Sequence, residues 1–221
     1  MASRSVQASE ALGALGRVRE EMPIFPLPRV VLLPGGLLPL HVFEPRYRAL
    51  VAHCLAGDRL LAVATLQPGY RAAYHGAPPV WPEVGIGTIV SHTPMDEGRS
   101  NIVVEQVARA RILLETPSPH PFRLTRVEIR ADDLTGSGPA VARLQALLLQ
   151  IAAVRGSTPE EARRLVDHGG ADLVDDLARR LLSHPDDQRR YLAMDRLADR
   201  AGWMAERLGT LVSPSGPAAE A

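Results

Sequence analysis

The apolar pattern changes its grammar partway along the chain. Up to about residue 130 the apolar residues come in short runs cut by Pro and Gly; beyond ADDLTGSGPA, residues 131–140, they recur at helical spacing and prolines thin out. In the first half, Arg29–Leu33 reads as a buried strand and Pro34-Gly35-Gly36 as the turn that ends it. Pro39–Phe43 continues as an edge strand, where a proline costs no ladder hydrogen bond. Pro45 suits the first position of a helix, since its missing N–H is one that no helical carbonyl would use. Tyr47, Leu50, Val51 and either Cys54 or Leu55 then fall at helical spacing, and Gly57 closes the helix. Arg59–Leu66, Thr88–Ser91, Asn101–Val104, Ala108–Leu114 and Leu124–Ile129 read as further strands, with Asp96-Glu97-Gly98-Arg99 as a hairpin-type turn. About six short strands and one helix predict a small closed or half-closed β-barrel.

The second half is helical throughout. Ala140–Val154 is apolar except at Arg143, Gln145 and Gln150, the pattern of a helix covered on most of its surface. Thr158-Pro159-Glu160-Glu161 joins a capping box to a proline at the first helical position, and His168-Gly169-Gly170 stops that helix. Asp172–Leu182 follows, then a start at Ser183-His184-Pro185-Asp186, then Tyr191–Val212. Four to five short helices on short turns predict a bundle. The expected fold class is α+β with segregated halves. Its parts are a flexible or helical extension over 1–21, a barrel over 22–133, a helical bundle over 134–212 and a disordered tail over 213–221.

Composition narrows the chemistry more than the fold. All 25 basic residues are arginine and they balance 25 acidic ones, so no global field calls for nucleic acid or anionic lipid. A chain without lysine excludes a phosphate-binding loop that needs its lysine, a Ser-Lys protease dyad and Schiff-base chemistry. Cys54 is the only cysteine, which removes intramolecular disulfides and Cys-based zinc sites. The N-terminus lacks the apolar core of a secretory signal, and no apolar run reaches the ~18 residues of a membrane span. A cytoplasmic protein with no membrane partner is the expectation.

Motifs for catalysis are missing. The seven histidines never adopt H-E-x-x-H spacing, and His41 and Glu44 straddle a strand-to-helix junction where they need not converge. No G-x-S-x-G elbow occurs. Gly85-Ile86-Gly87-Thr88 imitates half of a dinucleotide loop, but a strand follows it where that loop needs a helix. Its glycines read instead as bends at a barrel corner. Asp132-Asp133 falls in the linker between the halves, and Asp186-Asp187 in a helical first turn.

The least ordinary stretch is IFPLPRVVLLPGGLLPLHVFEPRYRALV, residues 24–51. It resembles the start of the N-terminal substrate-recognition domain of the Lon protease family, whose pattern F-P-L-x-x-x-V-L-x-P-G-x-x-L-P-L-x-x-F-E-P-R-Y is met from Phe25 to Tyr47. The signature positions are Phe25, Pro26, Leu27, Pro34, Gly35, Pro39, Glu44, Pro45, Arg46 and Tyr47. Val84-Gly85-Ile86-Gly87-Thr88, the turn with Gly98 and Arg99, and the R-x-R-I core at Arg109, Arg111 and Ile112 resemble later segments of the same domain. So do PFRLTRVEIRADD and HPDDQRRYLAMDRLADRAGWMAERL, and the likeness covers about residues 22–212. One departure is Glu105-Gln106, where the family commonly has Glu-Gly.

The resemblance implies a PUA-like β-barrel followed by a helical bundle. It implies a freestanding module without the family's ATPase, which needs a Walker lysine, or its Ser-Lys protease domain. The implied activity is noncatalytic recognition of unfolded or tagged polypeptide segments, in the role of an adaptor in protein quality control. Its partners would be such segments or a protease or chaperone, and no cofactor is implied. Leu37, Leu38, Leu40 and Phe43 are the candidate peptide contacts, joined by Tyr70 and Tyr74; the residues leave open whether Leu37–Phe43 form an exposed groove or a buried plug. Arg46 has two readings, a clamp for an acidic peptide end or, as favoured here, a partner of Glu44 or of a backbone carbonyl that locks the strand-to-helix corner. The same barrel binds RNA in other families and serves a ubiquitin-ligase receptor in cereblon. A nucleic-acid-binding protein using Arg71, Arg109 and Arg111 is therefore the alternative.

Overall fold

In the computed structural model the description covers residues 15–73, 76–167 and 169–212, together with residues 10 and 13. Tyr74, His75, His168, most of the extension before residue 15 and the tail 213–221 lie outside it. The described chain falls into two compact units. One runs through Ala131 and takes in His184–Ala193; the other comprises Asp132–Ser183 and the chain from Met194 onward.

The first unit is built on six strands, β1 (Val18–Leu27), β2 (Leu37–Val42), β3 (Leu60–Leu66), β4 (Val80–Pro94), β5 (Ser100–Thr116) and β6 (Leu124–Arg130), with helix α1 (Pro45–Ala56) between β2 and β3. The sheet order is β2-β5-β4-β3-β1-β6, and an added β5–β6 pairing closes five strands into a barrel. Among the described residues the sixth strand, β2, pairs only with β5 and stays at the open end of the order. β1 runs parallel to β3, and every other pairing is antiparallel.

β1 and β3 carry continuous apolar runs because both of their faces are covered. Alternate residues feed two clusters. Phe25, Leu61 and Val63 join Leu50, Val51 and Cys54 of α1, whereas Ile24, Leu60, Ala62 and Ala64 pack with Val84, Ile86, Ala110 and Val127. α1 buries Tyr47, Leu50, Val51 and Cys54, the face its spacing predicts, and starts with Pro45 in its first turn.

Several boundaries differ from the sequence reading, each for a physical reason. Arg29–Leu33 is not a strand; the first strand is β1, and Arg29 itself sits in the left-handed region at φ 59°. Leu32 and Leu33 are nonetheless buried, because this irregular segment lies directly on β4. The glycines of Gly85-Ile86-Gly87 serve that approach rather than a corner. A Cβ on Gly85 would meet the Leu32 carbonyl oxygen at 2.2 Å, and one on Gly87 would meet Val104 at 2.3 Å. The two runs read as Asn101–Val104 and Ala108–Leu114 form one strand, β5, whose register slips around Val107. A bulge absorbs the extra residue and interrupts the alternation without ending the strand.

Gln106, the residue that departs from the family pattern, is buried and accepts a hydrogen bond from the Gly35 amide at 3.2 Å. Its backbone N–H donates to the Gly36 carbonyl at 3.0 Å. A glycine could not make the side-chain bond, so here the side chain itself holds the Pro34-Gly35-Gly36 turn.

The second half of the chain forms five helices, α2 (Gly138–Val154), α3 (Pro159–Val166), α4 (Gly170–Leu181), α5 (Pro185–Ala193) and α6 (Leu197–Val212). The segment read as one helix from Tyr191 is two, broken at Met194–Arg196. α5 belongs to the barrel unit, where Arg109 donates to the Leu192 carbonyl at 2.8 Å and Arg130 to that of Ala193 at 2.9 Å. Two arginine donors thus satisfy carbonyls at the helix C-terminus that have no helical partner.

In the other unit α2 packs on α3 and α6, and α4 on α6. The Thr158 capping box is present as predicted and draws the Glu161 carboxyl below its usual range through hydrogen bonds from Thr158. Asp132-Asp133 is more than a solvated linker. Asp132 contacts Arg200 at 2.7 Å, and Arg200, fully buried, also holds Asp175 at 3.0 Å. Asp133 accepts from the Thr135 amide at 2.9 Å, which with the Thr135 side chain lowers its pKa.

Candidate functional site

β2 is the element on which most of the candidate contacts lie. Its residues alternate strictly: Leu38, Leu40 and Val42 face the cluster beneath α1, whereas Leu37, Pro39 and His41 face solvent. Leu37 is 63% exposed and Phe43, just past the strand, 58% exposed. The segment is therefore neither a plug nor a groove. Pleating splits it, with one set of side chains in the core and the other on an outer strip.

Two neighbouring strands widen the strip. On β5, Val103 lies opposite Pro39 and Asn101 opposite His41. On β4, Ser91 and Thr93 lie opposite those two, and Met95 beyond is 43% exposed. His41 Nδ1 and Asn101 Oδ1 are 2.8 Å apart, and the His41 ring stacks near Phe43 at 5.9 Å. These contacts hold the middle of the strip in one arrangement. Because β5 is the one strand partner of β2 among the described residues, its other edge offers backbone N–H and C=O groups to a further strand.

The family-signature residues build the corner that presents this strip. Phe25 and Tyr47 stack with ring centroids 4.2 Å apart, and the Tyr47 hydroxyl donates to the Pro26 carbonyl at 3.4 Å. Arg46 donates through Nε to Glu44 Oε2 at 3.0 Å, and a terminal nitrogen lies 2.9 Å from the same oxygen. Gly98 takes φ 70°, in the left-handed region that favours glycine, with the Arg48 guanidinium packed against it. Arg99 donates to the Asp96 carbonyl at 3.2 Å.

The other candidates go elsewhere. Tyr70 sits on a short 3-10 turn after β3 and lines a separate cleft with Trp81. Tyr74 lies outside the described residues. Of the arginines proposed for nucleic acid, Arg71 and Arg111 are exposed, but Arg109 is buried and committed to the carbonyls of Leu192 and Ala131. It has no free face for a phosphate.

Among the described residues no three His, Cys, Asp or Glu side chains converge in a metal-binding arrangement. Burial, reinforced by nearby Asp58, pushes the Cys54 thiol up to about 12, and its Sγ lies 3.2 Å from the Leu60 carbonyl. It is a protonated core residue rather than a nucleophile. No helix among the described residues is long and apolar enough to cross a membrane.

Residues 21–208 match the family model of the ATP-dependent protease La (LON) substrate-binding domain. Among curated proteins, the chain is 28% identical over 187 residues to a Lon protease of Anaeromyxobacter dehalogenans, covering 78% of this chain and 22% of that protein. It is 28% identical over 166 residues to Lon protease 2 of Myxococcus xanthus, covering 71% and 20%. A Lon protease of Desulfosudis oleivorans is 27% identical over 111 residues, covering 50% and 14%. The aligned part thus amounts to about a fifth of these relatives' length or less. Among solved structures, the N-terminal domain of a Mycobacterium avium complex Lon protease superposes with a TM-score of 0.61 at 18% identity, covering 86% of this chain and 98% of that one. A Lon N-terminal domain protein from Xanthomonas campestris gives 0.60 at 21%, covering 85% and 98%. At these identities the superpositions speak for the fold.

Proposed function

The chain belongs to the Lon substrate-binding domain family, and on that premise we propose that it is a noncatalytic module that binds unfolded polypeptide segments along β2. We further infer an adaptor role in cytoplasmic protein quality control, delivering such segments to a protease or chaperone. The observation that carries the reading is the edge position of β2 combined with its outward Leu37, Pro39 and Phe43. An extended segment added to this edge would gain main-chain hydrogen bonds regardless of its sequence, while its alternate apolar side chains cover Leu37 and Phe43. Sequence-tolerant backbone pairing with a loose apolar preference suits a receptor for many unfolded clients. The part of the Lon enzymes that the chain matches is the substrate-binding domain and not the catalytic one, which supports the noncatalytic half of the reading.

The test uses a labelled, permanently unfolded polypeptide and fluorescence anisotropy. The double variant Leu37→Asp/Phe43→Asp replaces two exposed side chains and should leave the melting temperature within a few degrees. It should weaken binding by roughly tenfold or more, given about 1.5–3 kcal/mol for each large apolar side chain covered. Undiminished binding by this folded variant would rule out the strip.

A further inference from the structure

In the helical unit, α2 is apolar nearly all round and carries no acidic residue. A helix of that kind is normally covered on every side. α3 and α6 cover part of it, but its outer face is bare. Ala142, Ala146, Leu149 and Ala153 are all exposed, Leu149 to 39%. They recur at steps of four, three and four residues, the period of a seam between two paired helices.

Beside this seam runs a groove of about 430 Å³, walled by Ala146 and Leu147 of α2 and by Gly202 and Gly209 of α6. Both glycines lie inside a helix, where only proline is less favourable. Neither has a positive φ, and a Cβ on either would meet no atom within 4 Å. Packing among the described residues therefore gives no reason for them. A missing Cβ on an open helix face is what lets another backbone approach closely.

The groove also holds Arg143 and Glu206, both exposed. Among the described residues neither side chain makes an ion pair or a hydrogen bond. Opposite charges that share a groove without pairing are complementary to a second copy of the same groove. A two-fold brings Arg143 of each copy to Glu206 of the other, supplying both signs at once. This self-complementarity favours a second copy over an unrelated helix.

Charge also sets the direction. A parallel α2 pair would place Arg143 beside Arg143. An antiparallel pair centred between Ala146 and Leu149 sets Ala146 against Leu149 and Ala142 against Ala153. It holds the two Arg143 residues about nine positions, roughly 14 Å, apart along the axis, beyond the screening length of physiological salt.

We propose that the helical unit pairs with a second copy of this chain through an antiparallel α2–α2 seam, with Arg143 of each copy reaching Glu206 on α6 of the other. The pairing does not depend on the polypeptide reading of β2.

Analytical ultracentrifugation of the full chain from about 1 μM to 1 mM, the span of weak to moderate affinities, should show the mass rise from one chain to two. Gly202→Leu puts a side chain where the single chain has room, so its melting temperature at low concentration should hold or rise. The same variant fills the groove and should weaken association by about tenfold or more. Arg143→Glu and Glu206→Arg should each weaken it as well, and an equimolar mixture of the two should restore it, since each copy then meets the opposite sign. A merely structural role for these residues gives no such rescue. A single-chain mass up to the highest concentration overturns the proposal. So does a dimer that Gly202→Leu leaves intact, or a mixture no tighter than its two components alone. A single-chain mass together with weaker binding of an unfolded polypeptide by Leu149→Glu overturns it in favour of a client on this face.

Discussion

At the scale of single residues, backbone approach outweighs side-chain chemistry. Gly85 has room for nothing larger, because a Cβ there would stand 2.2 Å from a carbonyl oxygen and 2.9 Å from the Leu32 Cβ. Neither obstacle is the far end of a flexible side chain, so the backbone itself must move. Gly85→Ala should therefore cost about 3 kcal/mol, the upper range for overpacking, read as a lower urea midpoint at unchanged slope. A loss under about 0.5 kcal/mol, typical of a neutral surface change, would show that Leu32 does not lie on β4. The same residue illustrates what the sequence could and could not convey. The two glycines are visible in Gly85-Ile86-Gly87, but the residues that demand them, Leu32 at the first and Val104 at the second, are distant in sequence. Without them, a bend at a corner is the simpler reading. Gln106 is similar: its departure from the family pattern is plain in the sequence, and its bond to Gly35 needs the fold.

At the scale of elements, patterns within a few turns or strands were legible and register was not. The face of α1 followed from 3.6-residue spacing, and the cap of α3 from Thr158 and Glu161. The outward and inward sets of β2 are the consequence of its period of two, although a run of Leu, Leu, Pro, Leu hides the polar half of the alternation. In the sequence β5 reads as two strands because the bulge near Val107 breaks the count. Nothing local tells that α5 rejoins the barrel unit, since its binding partners, Arg109 and Arg130, lie on distant strands. Nor did spacing reveal that Arg200 gathers Asp132 and Asp175 in the other unit. There, Arg200→Ala should be severe. It strips the partner from two carboxylates around a fully buried position, and breaking such a pair costs about 3–5 kcal/mol. Circular dichroism in urea should show the loss, and a change below about 1 kcal/mol would mean that water already screens the cluster.

At the scale of the whole molecule, the family was readable from one long motif, and the fold class followed from it. The geometry adds a division of labour within that motif. Phe25, Tyr47, Glu44 and Arg46 lock the corner between β2 and α1, which leaves Leu37 and Phe43 outward on an edge with no further strand among the described residues. The central claim is that this edge receives polypeptide. Hydrogen–deuterium exchange of the full chain, with and without a saturating unfolded polypeptide, tests it most directly, because added strand hydrogen bonds protect the amides that form them. The account predicts slower exchange concentrated in residues 37–43, with the barrel strands β1 and β3 unchanged. Protection that appears elsewhere while residues 37–43 exchange as before would contradict it.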